Sequence, residues 1–201
     1  MWQRLCCSFF PPRSQLWVFL LNVNCLSLYD YGISFFNWNQ GRSGGACAST
    51  LLNILYGTAD DEAGPVKQSF TGVLESMRDQ LRAKGYSQVP QSTSLNPIDV
   101  TSDFQLVPTE TTGTRRAVMI GIEYVGHESG VLRGCHNDVL NMQKYLRDVQ
   151  GFGDENIHLL MDDGIHMAPT KDNILNAYRQ IIADSDDGDV IFLHYSGMYL
   201  V

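Results

Sequence analysis

Hydrophobic residues in the second half of the chain alternate between continuous runs and helical spacing. The runs AVMIGI (117–122), NIHLLM (156–161) and DVIFLHY (189–195) have the length and composition of buried strands. Between the runs, apolar residues recur every three or four positions, which predicts two helices, the second of them capped by Thr170. Their inward-facing residues are Val139, Met142, Leu146 and Val149 in the first helix, and Ile174, Tyr178, Ile181 and Ile182 in the second. This β-α-β-α-β order predicts a parallel sheet whose faces are covered by helices.

An earlier region, residues 41–107, has the pattern of a small α/β unit. A glycine-rich turn in SGGACASTLLNILYG leads into an apolar helix. Ser69 can cap a second helix and Gly85 can end it. The apolar positions of that helix are Phe70, Val73, Leu74, Met77 and Leu81.

Two polar segments follow this second helix. YSQVPQSTSLNPIDV predicts a short strand and turns, because Pro90 and Pro97 confine any strand to an edge or a start. PTETTGTR, residues 108–115, is rich in turn-forming residues and predicts a linker. Residues 116–201 then form the second region.

Residues 1–40 are not assigned to either region. The run LWVFLLNVNCLSL follows Arg4 and Arg13, as in a signal peptide, but Asn22 and Asn24 interrupt it and no small-residue cleavage site follows. It is too short and too polar to span a bilayer. We interpret it as a buried segment, with a targeting segment as the alternative.

Composition narrows the classes of function. The net charge is −8, and 14 basic residues are outnumbered by 22 acidic ones, which argues against nucleic acid as a partner. The five cysteines form no regular framework and include no Cys-x-x-Cys pair, so a reducing, cytoplasmic location is expected. The length suits one sizeable core.

The clearest candidate chemistry lies in LRGCHNDV, residues 132–139. It places the thiol of Cys135 and the carboxylate of Asp138 around a helix start. Asp138 either caps or occupies the first turn of that helix, or faces a cationic ligand from the carboxyl edge of the sheet. Ligands of parallel α/β sheets bind at that edge.

Other chemistries have weaker support. A catalytic pair of Cys47 and His194 lacks the sequence setting of a nucleophile. GIEYVG (121–126) lacks both the dinucleotide fingerprint and the P-loop pattern. The pairs Asp162-Asp163 and Asp186-Asp187 lack the ligand spacing of an EF-hand, and the second is typical of a turn before a strand. No metal ligands are therefore assigned.

Several of these motifs together resemble one family. Leu-x-Gly-Cys-x-Asn-Asp, Pro-Thr before a helix, and His-Tyr-Ser-Gly resemble the large-subunit-like region of metacaspases over about residues 115–198. SGGACASTLLNILYG and SFTGVLESMRDQLRAKGYSQVPQSTS resemble their small-subunit-like region, here placed first, as in type III metacaspases of algae. The resemblance implies an α/β fold: a caspase-like parallel sheet flanked by helices and incomplete at its C-terminal side.

The resemblance also implies a chemistry. Metacaspases are cysteine endopeptidases that cleave after Arg or Lys, with a histidine as general base and with calcium expected for the full-length family. By position, Cys135 and Asp138 match residues that line the pocket for the basic substrate side chain. Ser196 and Gly197 match the two residues before the catalytic histidine.

Three departures from the family pattern bear on activity. Met198 stands at the position of the histidine, no Asp-x-Cys-x-Ser-Gly motif is present, and Glu123 replaces the usual Asn. We therefore expect no catalytic residues and no cofactor in this chain: a truncated, inactive relative of the endopeptidases.

Two alternatives remain open. One is a non-catalytic binding module, or pseudoprotease, that engages peptides or associates with a full-length metacaspase. The other is an incorrectly read intron, in which case the final MYLV and residues 1–40 are not translated protein.

Overall fold

The fold is built from six strands and four helices in the part of the chain that the structure describes. This computed structural model describes residues 17–24, 35–37, 42–56, 68–91, 99–126 and 131–197, and gives the backbone path for 17–24, 35–37 and 42–44. The strands are β1 (Trp17–Asn24), β2 (Phe35–Asn37), β3 (Arg42–Gly44), β4 (Arg115–Gly121), β5 (Ile157–Met161) and β6 (Val190–Gly197). The helices are α1 (Ala46–Tyr56), α2 (Phe70–Ala83), α3 (Cys135–Asp148) and α4 (Lys171–Ala183), and a 3-10 turn spans Asp154–Asn156.

Strands β1, β6, β4 and β5 lie side by side, in that order, in one parallel sheet. Ala117 of β4 is in register with Phe192 of β6 on one side and Ile157 of β5 on the other. The strands β2 and β3 form a separate antiparallel pair. The sheet is open, since no described strand pairs with the outer edges of β1 and β5. The predicted α/β fold, a caspase-like parallel sheet flanked by helices, is confirmed.

The continuous apolar runs arise because both faces of the sheet are covered. Alternate residues of a strand point to opposite faces, so a strand with two covered faces needs apolar residues throughout. One face packs against α1, α2 and α3, and the other against α4. The first face of β4 and β6 consists of Ala117, Met119, Val190 and Phe192, and the second of Val118, Ile120, Ile191, Leu193 and Tyr195.

Helix starts follow the predicted caps. Ser69 Oγ accepts a hydrogen bond from the backbone N–H of Gly72 at 3.1 Å, at the start of α2. Thr170 Oγ1 accepts one from Asn173 N–H at 3.2 Å, at the start of α4. Both side chains satisfy a donor that has no partner within the helix, and both predictions are confirmed.

One local prediction is wrong, and another is tested only in part. Val149 was expected on the buried face of α3, but it caps the C-terminus of the helix and is 50% exposed. The strand expected within residues 86–100 stays a prediction: residues 86–91 form no strand, and there the guanidinium of Arg78 donates two hydrogen bonds to Pro90 O, at 3.1 and 2.9 Å. These bonds hold the segment along α2, and residues 92–98 lie outside the described part.

The N-terminal run contributes a strand to the main sheet. β1 pairs with β6 along its whole length, with Trp17 opposite Val190 and Asn24 opposite Gly197. This strand was not assigned from the sequence, where Asn22 and Asn24 obscured the apolar pattern. Over the described residues, no helix is long and apolar enough to cross a membrane.

Residues 108–115 form a tight turn at the amino ends of the strands. Thr111 is buried, and both its N–H and its hydroxyl donate to Pro108 O, at 3.2 and 2.7 Å. Thr114 N–H donates to Asp189 Oδ1 at 2.6 Å, and Arg116 forms an ion pair with the same carboxylate. Asp189 N–H donates to Asp186 O at 3.1 Å, so the predicted turn before β6 is confirmed. The division of the chain into two regions at 108–115 stays a prediction.

Candidate functional site

Asp138 lies at the junction of three elements near the carboxyl edge of the sheet. It is in the first turn of α3 and is 1% exposed. Its Oδ1 accepts a hydrogen bond from Gly45 N–H at 2.6 Å, just before α1, and its Oδ2 accepts one from Ser196 Oγ at 2.8 Å, near the end of β6. The side chain does not cap its own helix. Of the interpretations left open by the sequence, the cap is therefore wrong and the first-turn position is correct.

The electrostatic environment of this carboxyl group is unusual. Burial raises the pKa of Asp138 to about 7, and the nearby carboxylate of Glu123 acts in the same direction. The hydrogen bonds from Ser196 and Gly45 lower the pKa but do not offset burial. None of the ion pairs among the described residues includes Asp138. Its two donors, Gly45 N–H and Ser196 Oγ, are neutral, so neither supplies a countercharge to the ionised form.

The approach of Gly45 to Asp138 is so close that only glycine fits. A Cβ atom at residue 45 would lie 2.3 Å from Asp138 Oδ2, well inside van der Waals contact. Gly45 O accepts a hydrogen bond from Ser49 N–H at 3.0 Å, so this contact also fixes the start of α1. The segment before α1 thus lies directly on the carboxylate.

Cys135 is the first residue of α3, in the same turn as Asp138, and is 3% exposed. Gly121, the last residue of β4, lets this turn approach the sheet. A Cβ at residue 121 would lie 3.0 Å from Cys135 O and 2.9 Å from Val139 Cγ2. Cys135 and Asp138 are therefore held on the same turn, as expected. Contact of either residue with a substrate stays a prediction.

Comparison with known proteins gives the family of this arrangement. Residues 115–200 match the family model described as metacaspase, peptidase C14 domain. Metacaspase III c of Phaeodactylum tricornutum is 58% identical over 157 residues, which cover 78% of this chain and 46% of that relative. This chain belongs to the metacaspase family.

Two fungal metacaspases match a shorter stretch. Metacaspase-1A of Aspergillus oryzae is 48% identical over 88 residues, or 43% of this chain and 21% of the relative. Metacaspase-1B of Aspergillus clavatus is 41% identical over 98 residues, or 48% of this chain and 24% of the relative. The chain thus spans about half or less of the length of these curated relatives. The algal match is longer than the family-model match, so it extends beyond the large-subunit-like region.

A second cluster near the carboxyl edge of the sheet consists of Glu123, His136 and Asp162, and the sequence did not predict it. Glu123, where metacaspases usually have Asn, accepts hydrogen bonds at Oε1 from the N–H groups of Gly134 and His136, at 2.7 and 3.3 Å. It therefore satisfies donors at the start of α3 and places a negative charge at that helix terminus. His136 Nε2 lies 2.6 Å from Asp162 Oδ1, which joins α3 to the loop after β5. The only sequence signal was that Glu123 and Asp162 each follow a buried strand.

Asp162 organises the loops after β4 and β5. Partial burial raises its pKa, but hydrogen bonds from the N–H groups of Glu123 and Val125 and from His136 outweigh burial, so the pKa lies below its usual range. Asp163 accepts hydrogen bonds from Ile165 N–H, His166 N–H and the ring of His166, at 2.9, 2.9 and 2.7 Å. Both carboxylates therefore already accept hydrogen bonds from groups of this chain.

Calcium does not fit this acidic pair. Asp162 and Asp163 receive hydrogen-bond donors where a calcium site needs free oxygen ligands. Within the described ranges, no group of three or more His, Cys, Asp or Glu side chains is arranged to hold a metal ion. No step of the proposed function is therefore assigned to calcium.

The pair of Cys47 and His194 does not form an accessible catalytic site. The Cys47 thiol lies 3.2 Å from Gln88 Oε1, to which it donates. His194 is 0% exposed within β6, so its ring cannot reach a substrate at the surface. Met198 lies outside the described residues.

Proposed function

We propose that this chain provides the pocket by which a metacaspase-family peptidase binds the Arg or Lys side chain of a protein substrate. Asp138 is the residue that would pair with the guanidinium or ammonium group. The observation that carries the proposal is the burial of this carboxylate between two neutral donors, Gly45 N–H and Ser196 Oγ. By homology the chain belongs to a family of peptidases.

The chemistry of Asp138 suits a cationic partner. A buried ionised carboxylate is costly without a countercharge, and the pKa near 7 reflects that cost. A guanidinium would supply the missing charge together with charge-assisted hydrogen bonds. The position also suits a ligand, because parallel α/β sheets bind ligands at the carboxyl ends of their strands.

We further propose that these 201 residues do not hydrolyse peptides by themselves. In metacaspases a histidine follows the Ser-Gly matched here by Ser196 and Gly197, whereas this sequence has Met198. A thioether cannot accept or donate the proton that general acid–base catalysis requires. The Asp-x-Cys-x-Ser-Gly motif of the family nucleophile does not occur in these 201 residues. We therefore assign Arg- or Lys-directed proteolysis only to a longer metacaspase that contains both the catalytic histidine and the nucleophilic cysteine.

A second candidate function is a non-catalytic binding module. The same observation favours it, because Gly45 and Ser196, the two residues that hold the Asp138 carboxylate, both belong to this chain. In that role the chain would bind basic peptide segments, including those of a full-length metacaspase.

Peptide binding tests the first proposal. The probe is a short fluorescent peptide with a single Arg, and the control is the same peptide with neutral citrulline at that position. We expect the chain to bind the Arg peptide more tightly, and Asp138→Asn to weaken that binding by about tenfold or more, since a charge-assisted bond is lost. Equal binding of both peptides, or no effect of Asp138→Asn, would refute the assignment of Asp138.

A hydrolysis assay tests the second proposal. We expect the purified chain to leave Arg- and Lys-containing peptides intact. Cleavage that is abolished by Cys135→Ala or by Cys47→Ala would show that a cysteine of this chain is a nucleophile, and the proposal of inactivity would then be wrong.

A further inference from the structure

The pocket acid is closed off by the chain itself. Asp138 is 1% exposed, and the segment that ends at Gly45 lies on its carboxylate with a hydrogen bond of 2.6 Å. We propose that Gly45 is an internal latch, whose N–H occupies Asp138 until a cationic side chain displaces it. This inference rests on the proposed function of Asp138, and it adds a means of regulating access to the pocket.

The surroundings of Gly45 allow such a displacement. Gly45, Ala46 and Cys47 are all only partly buried, whereas the well-buried residues of α1 begin at Ala48. Moving the first residues of the helix would break the bond from Ser49 N–H to Gly45 O and the bond from Cys47 to Gln88, but it would leave the buried residues of α1 in place. The N–H of a partly exposed glycine can bond to water once it is released, so opening leaves no buried donor without a partner.

The exchange is also chemically favourable. Gly45 offers Asp138 a single bond from a neutral amide, whereas a guanidinium offers two parallel bonds and a full positive charge. Ser196 can keep its hydrogen bond to Oδ2 during the exchange, because the latch holds Oδ1. The ligand thus competes with one neutral donor only.

A purely structural role makes a different prediction. If the bond between Gly45 and Asp138 only fastens α1 to α3, ligand binding leaves it intact and its loss lowers stability without improving binding. A latch requires the opposite: the bond breaks on binding, and weakening it improves binding.

Amide hydrogen exchange on the wild-type chain separates the two roles. The exchange of Gly45 N–H is measured by NMR in the absence and presence of saturating Arg peptide, with the citrulline peptide as the control ligand. The Gly72 amide, which donates to Ser69 Oγ in α2, is the control position. We expect the Gly45 amide to lose its protection from hydrogen exchange when the Arg peptide binds, whereas the Gly72 amide keeps its protection. The citrulline peptide should change neither amide. Unchanged protection of Gly45 at saturation would overturn the latch.

A variant gives an independent test. Gly45→Ala places a methyl group 2.3 Å from Asp138 Oδ2 and so forces the segment off the carboxylate. We expect this variant to bind the Arg peptide about tenfold more tightly, because the competing hydrogen bond is lost. Gly72→Ala is the matched control and should bind like wild type. If Gly45→Ala does not fold, the exchange experiment on the wild-type chain decides.

The outcomes separate the latch from the function on which it rests. Arg-specific binding that depends on Asp138, with Gly45→Ala no tighter than wild type, overturns the latch and leaves the pocket assignment in place. Failure of both wild type and Gly45→Ala to prefer the Arg peptide overturns the pocket assignment and the latch together.

Discussion

Ser196 near the end of β6 donates a hydrogen bond of 2.8 Å to Asp138 in the first turn of α3, and both side chains are almost fully buried. The bond links the strand that ends at the candidate site to the helix that carries the pocket acid. Since the hydroxyl donates to the carboxylate, it stabilises the ionised form and lowers the pKa that burial raises. The strength of this contact therefore depends on pH.

Replacement of Ser196 by Ala should cost more stability at alkaline than at acidic pH. The carboxylate loses a donor it cannot replace in a buried site, so we expect the free energy of unfolding to fall by about 1–3 kcal/mol when Asp138 is ionised. Below the pKa of about 7, the loss should be smaller. Urea unfolding at pH values above and below that pKa measures this loss in the free energy of unfolding. Ser185→Ala is the control, because that buried hydroxyl donates to the neutral Ile181 O; an equal pH dependence of the two variants would contradict the prediction.

Asp138→Asn should remove a pH dependence from the stability of the whole chain. The pKa of Asp138 is about 7 in the folded state against 3.8 for the free side chain, so the folded state binds more protons between these values. Wild-type stability should therefore fall as pH rises through this window, by about 4 kcal/mol in total.

The Asn variant carries no titrating group at this position and keeps hydrogen-bonding atoms for both partners. It should be close to wild type near pH 4 and more stable near pH 8. Urea unfolding of the two proteins across this range gives the difference, in which the other titrating groups cancel. Parallel curves for the two proteins would show that Asp138 is not the buried acid that titrates.

Sequence patterns predicted the features that depend on neighbouring residues. Ser69 and Thr170 act within one helical turn, so their positions before apolar periodic segments were sufficient. The three core strands were evident because both faces of the sheet are covered and their apolar runs are continuous. Val149 fits the same periodicity but lies where α3 ends, and periodicity alone does not give the end of a helix.

The candidate site depends on contacts that are distant in sequence. Asp138 is 93 residues from Gly45 and 58 from Ser196, so no local pattern shows that these groups meet. The resemblance to metacaspases named Cys135 and Asp138, but it did not reveal the contact with Gly45. Glu123 was noted only as a departure from the family. Its role at the start of α3 needed the path of the intervening loop.

Asp162→Asn should destabilise the chain most at neutral pH. The carboxylate accepts bonds from Glu123 N–H, Val125 N–H and His136, and the amide has only one oxygen to replace these acceptor sites. We expect a loss of about 1–2 kcal/mol in the free energy of unfolding. Because the folded pKa is lowered, this stabilisation is present above the unfolded pKa and is lost as pH falls through the folded pKa.

Urea unfolding at neutral pH and below about pH 4 tests this dependence. The control is Asp154→Asn, since Asp154 is 64% exposed and lies 3.8 Å from Arg147. A cost for Asp162→Asn that is the same at both pH values would argue against its role as an ionised acceptor.

Gly121→Ala should disturb both the core and the candidate site. The added methyl group would lie 2.9 Å from Val139 Cγ2 and 3.0 Å from Cys135 O, so the first turn of α3 must shift. Overpacking of this kind costs about 1–3 kcal/mol. Urea unfolding measures the loss. The control is Gly72→Ala, whose methyl group would lie 3.3 Å from Ser69 Oγ and 3.6 Å from Gln68 Cβ, and which should stay within about 1 kcal/mol of wild type. Equal stabilities of the two variants would show that α3 does not need the close approach at Gly121.

Binding of the Arg peptide should strengthen as pH rises through the pKa of Asp138. Only the ionised carboxylate attracts a guanidinium, and with a pKa of about 7 the group is largely neutral at pH 5.5 and largely ionised at pH 8.5. We therefore expect the affinity to rise by about tenfold over this range and to level off above it. The carboxylate of Glu123, in the loop after β4, also acts on Asp138, so Asp138→Asn is needed to isolate the effect of Asp138. The Asn variant should bind weakly with little pH dependence, and the citrulline peptide should show none with the wild-type chain. An affinity that falls with rising pH would exclude the ionised Asp138 carboxylate as the partner of the basic side chain.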